Sequence, residues 1–263
     1  MGKLYSHPGK ELKEHSYNVY NIGISKFENK KLNFNNLDKI KLLTEIVLIT
    51  HDFGKASKFF QQKLKLAEKE KKNSLEYDKL TKKKFNKSSH SLISALFTYY
   101  IIEELIDDEI FPLIGFAIVR RHHGNLKDFK EMLQILNWDL LKLQINNIKL
   151  EKLDKILEMI NIQMNLKSIE FDEFKNKLDS RKFRRKVRKL KYNLKEEENY
   201  IIFNFIYSIL LSSDKGEAIF YNKNKNFDQL KKTIFNYNEL DPDLVDKYKT
   251  LMGWDDANSE INI

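Results

Sequence analysis

Thr50-His51-Asp52-Phe53-Gly54-Lys55 closes an apolar helical stripe made by Ile40, Leu43 and Val47, and this junction decides the reading of the chain. Spacings of three and four put Ile40, Leu43, Val47 and His51 on one helical face. An imidazole therefore lies in line with residues that face a core. The pattern recurs with Leu12, His15, Val19 and Ile22, with His90, Ile93, Phe97 and Ile101, and with Phe203, Tyr207, Leu210 and Asp214. Taken singly, an inward-facing histidine is more often a hydrogen-bonded core residue than a ligand. Four apolar stripes that each carry a His or an Asp are a different matter, because a buried imidazole or carboxylate without a partner is costly. A shared cation relieves all of them together.

The donors available are five of the six histidines, His15, His51, His90, His122 and His123, with the carboxylates of Asp52 and Asp214. There is no cysteine, so any metal is held by nitrogen and oxygen. One or two divalent transition ions fit such donors. Manganese, iron, cobalt and nickel suit them best, zinc is admitted, and magnesium is less at ease among imidazoles. Adjacent helical residues point about 100° apart, so His51 can serve one ion while Asp52, with two oxygens, bridges two. His122-His123 in Arg120-Arg121-His122-His123-Gly124 repeats that geometry with two nitrogens. The expected chemistry is hydrolysis at phosphorus by metal-activated water, with Asp52 and Lys55 as the catalytic residues. Lys55, four residues past His51, is placed to hold a phosphate oxygen or to orient the nucleophile.

Composition narrows the alternatives. The absence of cysteine excludes disulfides, thiolate catalysis and iron–sulfur clusters. No GxxxxGK[ST] run occurs, which excludes an ATP-driven motor of the P-loop kind. The longest apolar stretch, 201–211, is interrupted by Asn204 and falls short of the roughly 20 residues of a membrane span. With no apolar leader in the opening residues, the expectation is a soluble, cytoplasmic chain with no membrane partner. Lys and Arg outnumber Asp and Glu 47 to 38, a formal charge of +9 that favours polyanionic partners. The charge concentrates in two runs, the lysines between Lys63 and Lys87 and the denser run Arg181–Lys191. Phe183, Val187 and Leu190 fall at helical spacing in the second, which predicts an amphipathic helix with a cationic face for a nucleic-acid backbone or an acidic partner protein.

Glycine and proline are scarce and period-two alternation is rare, so the expected fold is all-α. Residues 1–222 are expected to form the catalytic domain, with a mostly helical insertion around 125–180. Residues 223–263 are expected to form a helical extension or linker.

The order of these motifs resembles the HD superfamily of metal-dependent phosphohydrolases, and more narrowly its CRISPR-associated nuclease branch. The resemblance rests on YSHPGKELKEH (5–15), HDFGKASKFFQQKL (51–64), the serine-flanked His90 and RRHHG, and it spans roughly residues 4–220. It implies a compact HD-domain helical bundle and the nuclease part of a type I CRISPR effector nuclease-helicase. That activity would cleave single-stranded DNA together with a helicase domain or subunit and an RNA-guided surveillance complex. It implies that His15, His51, Asp52 and Asp214 hold a first metal and that Asp52, His90, His122 and His123 hold a second. Asp214 stands in Ser212-Ser213-Asp214 where many relatives have Ser-Ala-Asp. His7 lies off the His15 stripe, which points to a substrate contact or a structural hydrogen bond. The wider superfamily also contains enzymes that act on small nucleotides, the alternative reading here.

Overall fold

The computed structural model describes residues 2–30, 34–69, 75–81, 87–124, 137–168, 171–178, 185–186 and 197–222. Among the described residues the secondary structure is helical apart from one short hairpin and a single bridge between Ser57 and Ile148. Strand β1 (Tyr5–His7) pairs antiparallel with β2 (Lys10–Glu11). Pro8 and Gly9 make the turn, and Gly9 adopts φ 76°, a conformation that suits the third position of a type II turn. The period-two signal of so short a hairpin is too brief to read in sequence, although the Pro-Gly pair marks its turn.

Helix α1 (Leu12–Glu28) follows directly, then α2 (Leu37–Thr50), a 3-10 turn (Phe53–Ala56) and α3 (Lys58–Glu68). Next come α4 (Leu75–Thr81), α5 (Ser91–Leu105) and α6 (Phe111–Arg121). Helices α7 (Trp138–Ile145), α8 (Leu150–Glu158) and α9 (Phe171–Leu178) precede the long α10 (Glu197–Asn222).

Helices α5 and α6 are buried along most of their length, including Phe111 to Val119 without a break. Such a pattern marks central helices, and they pack closely on each other. Asp108 caps the start of α6 by accepting from the Ile110 and Phe111 amides at 2.7 and 2.9 Å, and Pro112 follows at the first turn, where its missing N–H is harmless. Helix α1 lies on α2 at Gly23, where any Cβ would run into the Leu48 side chain. The small residue sets that close approach.

Leu141, Leu153, Ile156, Leu157 and Leu166 of the expected insertion are buried in the same apolar cluster as α2, α5 and α6. Residues 1–217 form one compact unit; a second begins at Ala218. Residues 223–263, the expected extension, lie outside the described residues, as do the lysines of 82–86 and most of the run 181–191. Among the described residues no helix is long and apolar enough to cross a membrane.

Candidate metal centre

The seven candidate donors come from five helices or helix ends, and the structure brings them together. His15 comes from the first turn of α1, and Asp214 from the buried stripe of α10 that includes Ile206 and Leu210. The other five stand at helix ends rather than within helices. His51 is the residue after α2, and Asp52 follows with φ −112° and ψ 11°, outside the helical range. His122 likewise follows α6, and His90 immediately precedes α5. His51 and His122 keep right-handed helical torsions as the last helical-like residues, and the chain leaves the helix at Asp52.

Gly54 holds the His51-Asp52 turn against α5. A Cβ there would collide with the His90 carbonyl oxygen, so only glycine lets the two ligand-bearing segments touch. Gly54 N–H donates to Ser94 Oγ at 2.9 Å, and the Thr50 and Thr98 hydroxyls pair at 2.7 Å below it. Gln61 ties the hairpin to the same turn, donating from Nε2 to the Tyr5 and Lys55 carbonyls, both at 2.8 Å.

Asp52 is the hub and is fully buried. Its Oδ2 lies 3.1 Å from His15 Nε2 and 3.4 Å from His51 Nε2. Its Oδ1 lies 3.3, 3.5 and 4.0 Å from Nε2 of His90, His122 and His123. Asp214 Oδ1 is 3.4 Å from His15 Nε2 and 3.7 Å from His51 Nε2. Two sets of metal-capable donors result, His15, His51, Asp52 and Asp214 in one and Asp52, His90, His122 and His123 in the other. Donors bound about 2.1 Å from one ion are themselves separated by roughly 3 to 3.5 Å, close to what is seen.

The tautomers are fixed for the same purpose. His51 Nδ1–H donates to the Leu48 carbonyl at 2.8 Å, and His122 Nδ1–H to the Val119 carbonyl at 2.6 Å. Both acceptors are carbonyls three residues back, left free where a helix ends. Each ring is thereby left with a bare Nε2 facing Asp52. Nε2 of His15, His51, His90 and His122 is buried without a hydrogen-bond partner among the described residues, and so are both Asp52 oxygens. Lys55 Nζ approaches Asp52 Oδ2 at 2.7 Å as an ion pair, although not along a hydrogen-bonding direction. So many orphaned donors aimed at one place fit a divalent pair, and no hydrogen-bond partner for them is present among the described residues.

Electrostatics follow from burial against these contacts. Burial lowers the His15 pKa, but its contacts with Asp214, Asp52 and Glu217 outweigh that and raise it to about 10. Burial alone would raise Asp52, yet Lys55 and His51 hold it well below the ordinary range. Asp214 is held low in the same way by His15 and His51. Burial pushes His90 to about 4 and His123 to about 3.

The two sets differ in exposure. His15, His51 and Asp52 are closed from solvent, while His90 is half-buried and His123 is exposed. Lys55 is 3% exposed and lies beside the closed set. His7 packs its ring edge on His15 with centroids 5.1 Å apart and meets Ser6 Oγ at 3.3 Å through Nδ1. It belongs to neither set.

Residues 22–188 match the family described as Cas3, HD domain. The chain belongs to that family. It is thus a CRISPR-associated HD domain, of a metal-dependent hydrolase superfamily whose members bind divalent metals. The solved CRISPR-associated Cas3 HD domain protein from Methanocaldococcus jannaschii is 18% identical, with a TM-score of 0.47, over 81% of this chain and 100% of that chain. No curated protein matches the sequence. The family match of this Cas3 HD domain takes in His51, Asp52, Lys55, His90, His122 and His123, and leaves His15 and Asp214 outside.

Sequence reasoning passed over four residues that support the HD centre. Glu217 accepts from His15 Nδ1 at 2.7 Å, and Lys10 and Asn18 hold its other oxygen at 2.8 and 3.2 Å. Glu217 follows Asp214 by three residues on α10, a spacing that puts both on one face and was available as a signal. Tyr207 donates to the Arg121 and Gly124 carbonyls at 3.3 and 3.2 Å, bracketing the His122-His123 turn. For Lys10 and Asn18 the sequence carries no signal.

Proposed function

We infer that this chain is a metal-dependent nuclease that cleaves single-stranded DNA in type I CRISPR interference, working with a helicase domain or subunit and an RNA-guided surveillance complex. The observation that carries this reading is the convergence of buried, unpartnered Nε2 atoms on the two Asp52 oxygens. His15, His51, Asp52 and Asp214 would hold one ion, and Asp52, His90, His122 and His123 the other. When bound, such a pair supplies Lewis acidity at phosphorus and a nucleophilic oxygen near neutral pH.

The chain's own residues do the rest. Asp52 spans the two ligand sets, one oxygen to each, and so fixes their spacing. Asp214 adds a second carboxylate to the closed set, which makes it the more anionic of the two. The exposed His123 marks the side from which a phosphodiester arrives. Lys55 sits beside Asp52 with a buried ammonium that can turn to a non-bridging phosphate oxygen. The formal charge of +9 favours a polyanionic strand over a neutral substrate.

The test is incubation of the purified chain with linear and circular single-stranded DNA and manganese, beside chelator and Asp52→Ala controls. Cutting that needs both metal and Asp52 is expected. Intact DNA in every lane, with phosphate released from small nucleotides instead, transfers the assignment to a nucleotide phosphohydrolase.

A further inference from the structure

The geometry points to Glu217 as the positioning residue of His15, with Lys10 holding Glu217 in turn. His15 has a problem that His51 and His122 do not. Those two stand just past helix ends and pass their Nδ1 protons to free carbonyls of their own helices. His15 lies inside α1, where the carbonyls behind it serve the helix ladder. Its Nδ1 needs an acceptor from another element, and Glu217 Oε2 supplies it at 2.7 Å.

Both Glu217 oxygens are committed. Oε2 faces His15, while Oε1 takes Lys10 Nζ at 2.8 Å and Asn18 Nδ2 at 3.2 Å. The Lys10 and Glu217 side chains are only 3% and 4% exposed. A buried lysine and glutamate are retained at a cost in desolvation, and here they lock a carboxylate onto one imidazole nitrogen. With Nδ1 occupied, Nε2 is the nitrogen presented to Asp52 and Asp214 at 3.1 and 3.4 Å. Among the described donors with a fixed Nδ1, His15 alone is held by a carboxylate. Helix α10 thus delivers both Asp214 to the closed set and, one turn later, the group that aims His15 into it. Lys10 extends the chain of contacts to the N-terminal hairpin.

This rests on the metal-centre reading above and adds to it a residue that touches no ion. Outer partners of this kind change metal affinity by about 10- to 100-fold. The experiment is calorimetric titration of the metal-free chain with cobalt(II), with the visible absorption of the bound ion recorded in parallel. Wild type is expected to take up two equivalents. Glu217→Ala is expected to weaken one of them by about 10- to 100-fold, to change that equivalent's absorption, and to leave the other as it was. Glu217→Gln keeps the size and one carbonyl acceptor for Nδ1–H but turns its amide N–H toward Lys10 and Asn18, so it is expected to restore only part of the loss. Lys10→Met is expected to weaken the same equivalent by less.

A role confined to clamping the hairpin predicts something else: lower melting temperatures for Glu217→Ala and Lys10→Met with both cobalt affinities unchanged. That result overturns the proposal and leaves the metal centre standing. Wild type that takes up no cobalt removes the centre and the proposal together.

Discussion

Lys55 Nζ sits 2.7 Å from Asp52 Oδ2, with both side chains buried and three residues apart on the turn that follows α2. This ammonium lies on the carboxylate oxygen that faces His15 and His51, where a divalent ion would also bind. Removing it has two opposite consequences. Without metal, Lys55→Met leaves a buried carboxylate short of its nearest full charge, a change that costs about 3 kcal/mol. With metal, the competing charge is gone and the closed set should bind its ion more tightly. Urea unfolding with chelator should show the loss, and manganese titration the gain. On the proposed reading, in which Lys55 contacts the phosphate, hydrolysis should nonetheless fall. Weaker metal binding in Lys55→Met counts against this account.

Gly54 makes a second prediction. Its missing Cβ lets the His51-Asp52 turn rest on the His90 carbonyl. Gly54→Ala must push the two segments apart, an overpacking change that costs about 1 to 3 kcal/mol. Asp52 Oδ1 and His90 Nε2, now 3.3 Å apart, should separate. Metal binding by the His90, His122 and His123 set should weaken most. Affinities unchanged from wild type at both equivalents in Gly54→Ala would show that the turn does not depend on this contact.

These two residues also show how much was legible beforehand. The apolar stripes of α1, α2 and α10 were plain in the sequence because a period of 3.6 repeats over several turns. The donors were plain because metal chemistry restricts them to few residue types. What could not be read is where helices stop. His51 and His90 continue the periodic pattern of their helices, yet each stands just outside, since nothing in the pattern distinguishes a last turn from an end. Glu217 went unseen for a different reason. An acidic residue on a helix of mixed polarity looks like a solvated one until its partner, far away in the chain, is placed beside it.

Tyr207 offers a test of the open side. Its hydroxyl donates to the Arg121 and Gly124 carbonyls on either side of the His122-His123 pair. Tyr207→Phe should cost about 1 kcal/mol and loosen His123, the most exposed donor. Manganese affinity at one equivalent should fall a few-fold while the other holds. Unchanged affinities with a lower melting temperature would reduce Tyr207 to a structural tie.

Glu45 carries the pH prediction, and it lies away from the centre. Burial pushes its carboxyl up, with Lys41 and the Tyr20 hydroxyl opposing. An acid whose pKa is raised by folding binds its proton more tightly in the folded chain, so stability is lost as pH rises through the folded pKa. Glu45→Gln avoids that loss. It should be more stable than wild type at pH 7, and the difference should close as pH falls below the ordinary value of 4.5. Urea unfolding at both ends of that range, with chelator present, decides it. A variant less stable than wild type at pH 7 reverses the sign and sinks the argument.

The shared position of Asp52 makes metal stoichiometry the most telling measurement. Asp52 faces both ligand sets, Asp214 only the one with His15 and His51, and His123 only the other. Asp52→Ala should therefore lose both equivalents, while Asp214→Ala and His123→Ala should each lose one. Stability reports the same thing independently. An ion present at 100 times its dissociation constant stabilises the folded chain by about 2.7 kcal/mol per site. Melting temperatures with manganese and with chelator should then differ most for wild type, about half as much for the two single-set variants, and not at all for Asp52→Ala. His123 is exposed, so His123→Ala gives a folded variant even if the buried substitutions do not. Two equivalents retained in His123→Ala would mean that the open set binds without it, and the division of the centre around Asp52 would have to be redrawn.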